Sequence, residues 1–106
     1  MTALGTGLGW RPELALHTLE YSKLGFVEVL AENYDLSRPI PSPLQALKER
    51  GVQIVVHGVG ASLGGAEPLY LPAIERLARV AERLDAVCVS EHVAIVRSGQ
   101  LESGHL

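Results

Sequence analysis

The sequence predicts an α/β fold of parallel strands alternating with helices, on two observations. Three short apolar runs each end in polar, chemistry-bearing residues: Phe26 to Asn33 closes on Glu32-Asn33, Val52 to Gly58 on His57-Gly58, and Val87 to His92 on Ser90-Glu91-His92. Polar groups gathered at the carboxyl ends of neighbouring strands are the pattern of an α/β barrel with its active site on one face. The runs are also continuously apolar rather than alternating, as strands buried on both faces are, and segments of helical period separate them.

The elements follow in order. Thr2 to Gly9 reads as a short first strand ending in glycines, and Pro12 suits the first turn of a helix, where no N–H is needed. Ala15, Leu16 and Leu19 give that helix an apolar face, and Gly25 is expected as its left-handed stop. Phe26 to Ala31 is the second strand. Pro39, Pro41 and Pro43 make Asp35 to Pro43 a loop, after which Ser42 is placed to cap a short helix that Gly51 ends. Val52 to Val56 is the third strand, and Gly58 to Gly65 is a glycine-rich loop. From Leu69 to Leu84, Ile74, Leu77, Ala81 and Leu84 recur at helical spacing, with Glu75 and Arg79 as an exposed pair. Ala86 to Ser90 is the fourth strand.

Composition narrows the function. The chain has 106 residues, 47% of them hydrophobic and 20% charged, with a net charge of -3, the profile of an ordinary globular protein without a basic footprint for nucleic acid. The lone Cys88 cannot form an intrachain disulfide, which fits a reducing cytoplasm. No apolar run approaches the roughly 18 residues a bilayer span requires, so no membrane association is expected. A complete eight-stranded βα barrel takes roughly 250 residues. Four strands therefore make either a small α/β domain or the first half of something larger.

Strand parity selects the side chains that share a face. Val27, Val29, Ile54, Val56, Val87 and Val89 suit the helix side, whereas Glu28, Leu30, Glu32, Gln53, Val55, His57, Cys88, Ser90 and His92 fall on the other. Glu32, His57 and His92 then converge at neighbouring strand ends with Glu91 beside them, and two imidazoles with carboxylates suit iron, zinc or manganese. Any one of these groups alone reads more simply as a satisfier of loop backbone; their coincidence at three strand ends favours a shared site. Gly5-Thr6-Gly7-Leu8-Gly9 has the wrong glycine spacing for a phosphate-binding turn. His17 reads as a helix-packing residue, Cys88 as a small core residue, and Gly64-Gly65 as part of a flexible loop over the site.

Gly7-Leu8-Gly9-Trp10-Arg11, Glu32-Asn33-Tyr34, His57-Gly58-Val59-Gly60 with Ser62-Leu63-Gly64, and Ser90-Glu91-His92 occur in the order seen in the multinuclear non-haem iron-dependent oxidative enzymes, the domain of unknown function 692 family, which the chain resembles over nearly its whole length. The resemblance implies a xylose-isomerase-like TIM barrel, of which residues 1–106 would be the N-terminal half. It implies two or three iron ions and the use of dioxygen to modify residues, cysteine among them, of ribosomally made precursor peptides. A separate peptide-recognition partner protein often serves such enzymes. By motif position His57 and His92 would be iron ligands, Glu32 and Glu91 catalytic groups or ligands, and Asn33 and Ser90 substrate or outer-sphere contacts; His105 is a poor ligand candidate. The proline-rich loop Asp35 to Pro43 stands where many relatives are glycine-rich. Later strands of the barrel supply further ligands in the family, and with two free sheet edges the isolated chain is expected to self-associate and to be inactive. The competing readings are another metal-dependent barrel enzyme, of sugar isomerase or phosphodiesterase type, and a non-catalytic half-barrel assembly module.

Overall fold

The computed structural model describes residues 3–98 and 101–102; His105 lies outside them. Its elements run β1 (Gly7–Gly9), α1 (Ala15–Glu20), β2 (Phe26–Leu30), α2 (Ser42–Glu49), β3 (Gln53–Gly58), α3 (Leu71–Leu84), β4 (Cys88–Glu91), β5 (Arg97–Ser98) and β6 (Leu101–Glu102). The first four strands form one parallel sheet in the order β1-β2-β3-β4, and β5 and β6 pair as a separate antiparallel ribbon. The predicted α/β class and strand-helix alternation are thus present, in a four-stranded sheet. No helix among the described residues is long and apolar enough to cross a membrane.

The core lies between the sheet and its helices. Val27, Val29, Ile54 and Val56 share one face and are at most 2% exposed, packed in one cluster with Leu44 and Leu47 of α2 and Leu77, Val80 and Leu84 of α3. Each such side chain contributes roughly 1.5–3 kcal/mol by leaving water. The register places Gly9, Glu28, Val55 and Cys88 in one row of the opposite face, and Leu30, His57 and Ser90 in the next. Apart from buried Val55, this second face is half-buried or exposed.

Both longer helices stop in the same way. After α2, the Gly51 amide donates to the Lys48 carbonyl and the Val52 amide to the Leu47 carbonyl, with Gly51 at φ +92°, a Schellman ending. After α3, Asp85 takes the left-handed position at φ +52°, its amide donating to Glu82 and that of Ala86 to Ala81.

Several local expectations change. Gly25 is not a left-handed stop: a Cβ there would meet the Leu4 carbonyl oxygen at 2.0 Å, so the position needs glycine for a close backbone approach. Leu16 is 74% exposed, and Thr18 is buried in its place, its hydroxyl donating to the Leu14 carbonyl at 3.0 Å. Ser42 lies inside α2, whose preceding residue is Pro41, and no side chain caps that end. No ion pair joins Glu75 to Arg79 among the described residues. The β5–β6 ribbon had no counterpart in the sequence reading.

Candidate functional site

The carboxyl ends of β3 and β4 carry the histidines. His57 shares its row with Ser90, and the Ser90 hydroxyl lies 2.7 Å from His57 Nδ1. The His92 amide donates to the Gly58 carbonyl at 2.9 Å, which continues the ladder one residue beyond β4. Strand alternation then returns His92 to the side of Ser90. The two imidazole centroids are 5.7 Å apart with the rings inclined at 50°, close enough for one ion to be shared by a nitrogen of each ring, given metal–nitrogen bonds of ~2.0–2.1 Å.

This donor set fits part of a metal site. With Nδ1 of His57 held by a hydroxyl, Nε2 is the nitrogen left for a ligand, and such a partner fixes the ring as the outer partners of metal-bound imidazoles do. No group of three or more His, Cys, Asp or Glu side chains converges among the described residues. Iron held here would need ligands beyond the His57–His92 pair.

The two glutamates turn to backbone. The second strand ends at Leu30 and Ala31–Asn33 forms a 3-10 turn, so strand alternation does not carry through to Glu32. Its carboxylate accepts from the Val59 amide at 3.2 Å and from the Gly60 amide at 3.0 Å. Glu91 pairs with Gly58, on the face opposite His57 and Ser90, and its Oε1 accepts from the Ala61 amide at 3.0 Å. Three consecutive amides of the glycine-rich loop are thereby bound by carboxylates from two different strand ends.

Asn33 faces a cleft that neither imidazole lines. It lines this cleft of about 800 Å³ with Trp10, Arg11, Tyr34, Arg38 and the prolines Pro39 and Pro41. Burial pushes the Tyr34 phenol above its ordinary value, with Asp35 adding and Arg83 opposing. The Ser37 hydroxyl and amide, at 2.5 and 2.9 Å, hold the Asp35 carboxyl below its ordinary value, and the Arg38 cation adds to this. Cys88 is free and half-buried one row below Ser90.

Two contributors escaped the sequence reading. Gly58 leaves the space that Glu91 uses, since a Cβ there would lie 2.0 Å from Glu91 Oε2. Arg76 of α3 donates from Nε to the Ala31 carbonyl at 2.9 Å and from a terminal nitrogen to the Tyr34 carbonyl, so it pins the turn that carries Glu32. Its place beside Leu77 and one turn before Val80, on the rim of the apolar stripe, was the available signal. Within the loop, Ser62 adopts φ +57° and its hydroxyl accepts from the Val96 and Arg97 amides, joining the loop to β5.

Residues 5–106 match the family described as RiPP precursor modification enzyme MbnB/TglH/ChrH. A UPF0276 protein of Streptomyces avermitilis is 43% identical over 113 residues, covering 97% of this chain and 22% of its own length. One from Acaryochloris marina is 37% identical over 100 residues, 91% of this chain and 35% of its own length. One from Bordetella pertussis is 40% identical over 90 residues, 83% and 31% respectively. The chain thus spans between 22% and 35% of the length of these curated relatives.

Proposed function

We propose that this chain, which belongs to the RiPP precursor modification enzyme family MbnB/TglH/ChrH, supplies the β3–β4 edge of an iron site at which a TIM-barrel enzyme uses dioxygen to oxidise residues, cysteine among them, of a precursor peptide. The observation that carries the reading is the imidazole pair at 5.7 Å with a serine hydroxyl on one ring. His57 and His92 would hold iron, and iron would supply a binding place for dioxygen and for a substrate thiolate together with one-electron chemistry.

The chain's own residues have separate tasks in this scheme. Ser90 fixes the His57 ring, so that its second nitrogen is presented without a search over rotamers. Strand pairing through the His92 amide holds the second imidazole on the same face. Asn33, Trp10 and Arg11 line the neighbouring cleft, where an extended peptide segment would lie with its polar groups against Asn33 and Arg11.

The test is anaerobic loading with ferrous iron, in this chain and in a full-length family member with the corresponding changes. His57→Ala and His92→Ala should each abolish iron retention, a loss beyond the roughly 10–100-fold that removing an outer partner of a metal ligand causes. Peptide oxidation by the full-length protein should fall with them. Iron retention that is indifferent to both substitutions would overturn the reading. Preferential retention of zinc or manganese, with hydrolysis or isomerisation in place of oxygen consumption, would move the function to another metal-dependent barrel activity.

A further inference from the structure

Sequence order puts Glu32 and Glu91 beside the histidines, but the structure spends both carboxylates on the loop that leaves His57. Val59 and Gly60 donate to Glu32, and Ala61 donates to Glu91. Three successive N–H groups form a small anion-binding concavity, and here two side chains of the same chain fill it. Charge-assisted bonds of this kind are roughly twice as strong as neutral ones. The space is shaped for the purpose on both sides. A Cβ on Gly58 would collide with Glu91 Oε2 at 2.0 Å, and one on Gly60 would press on Glu32 Oε2 at 3.0 Å.

The consequence reaches the imidazoles through covalent neighbours. Gly58, held under Glu91, is bonded to His57, and its carbonyl accepts the His92 amide. Glu91 is itself bonded to both Ser90, which orients His57, and His92. The Glu32 end is anchored separately, since Arg76 of α3 holds the carbonyls of Ala31 and Tyr34 on either side of it. One clamp therefore sets the backbone beneath both rings from two directions.

We infer that Glu32 and Glu91 are positioning residues, a paired carboxylate clamp on the Val59, Gly60 and Ala61 amides that sets the spacing of His57 and His92. The inference rests on the reading of the two imidazoles as one site, and it assigns the glutamates no direct contact with metal or substrate. It also gives Gly58 and Gly60 a defined purpose, which is to admit carboxylates rather than to make the loop pliable.

The experiment compares the unaltered chain with Glu32→Gln, Glu91→Gln and Gly58→Ala, first without metal. Hydrogen exchange at residues 59–61 should rise by about tenfold or more in the variants, as expected for losing a bond to a charged acceptor. The imidazole 15N shifts of both His57 and His92 should move, while the amides of α3 keep their protection. Gly58→Ala displaces Glu91 without removing its charge and should reproduce Glu91→Gln. Unchanged loop exchange, a loosened loop with unmoved imidazole shifts, or loss of protection throughout α3 would each overturn the positioning role. Ferrous iron then separates the two readings. Failure of the unaltered chain to retain iron counts against the metal site, and the metal-free measurements still decide the clamp. Where iron is retained, the Gln variants should weaken it by about tenfold; loss as complete as in His57→Ala would make the glutamates ligands and overturn the inference.

Discussion

At the scale of single residues, the largest lesson is that one residue type serves several physical demands. Gly25 and Gly51 both follow a helix, yet only Gly51 has a positive φ, while Gly25 lets the backbone of Leu4 pass. Either demand alone selects glycine, so the sequence could not separate them. Gly25→Ala is therefore expected to cost about 1–3 kcal/mol, the usual range for overpacking, in the midpoint of urea unfolding. Tyr34 has the opposite sign. Its hydroxyl is buried with no hydrogen-bond partner among the described residues, and a buried unsatisfied group costs about 1–3 kcal/mol. Tyr34→Phe should leave stability unchanged or raise it by about 1 kcal/mol. The phenol adds a pH signature: its folded value is raised, so the folded chain keeps the proton where the unfolded chain has lost it. Its effect on stability is absent below the unfolded value near 10, and stability falls as pH rises from there through the folded value. Alkaline unfolding curves should show this slope in the unaltered chain and a shallower one in Tyr34→Phe.

Among the elements, legibility follows the length of the periodic signal. The fourteen residues of α3 have a regular apolar stripe, and its range differs from the sequence reading only at the start. The two-residue strands β5 and β6 carry no period at all, and nothing in Arg97–Ser98 or Leu101–Glu102 announces pairing. Glu32 shows the intermediate case: alternation predicts its direction only while the strand lasts, and the 3-10 turn at Ala31 redirects it. On α3 and at its C-terminal cap, three substitutions separate structural from idle positions. Asp85→Gly should stabilise by about 0.5–1 kcal/mol, because glycine bears no penalty in the left-handed region. Arg76→Ala should destabilise by about 2 kcal/mol through the two carbonyls it releases. Arg79→Ala, on the exposed face without an ion pair among the described residues, should change the stability read from thermal unfolding by no more than the typical ±0.5 kcal/mol of a surface change.

For the whole molecule, the α/β class was legible because parallel strands covered by helices read as unbroken apolar runs. The number of strands needed to close a barrel was not, since closure depends on pairings that four strands do not contain. The two outer strands are more exposed than the inner pair. Leu8 on β1 is 46% exposed and Val89 on β4 is 51% exposed, on the face where Val27 and Val56 of the inner strands are fully buried. Sedimentation velocity should find the 106-residue chain self-associated, and Val89→Lys should shift it toward monomer, since a charge on an edge strand opposes pairing. The sheet order has a kinetic consequence as well. Because spatial order equals chain order, each strand docks against the one made just before it, and no later segment has to be threaded between two strands already paired. The sheet can therefore grow from its amino-terminal strand during synthesis, with each finished βα unit serving as the template for the next and β4 as the growing front.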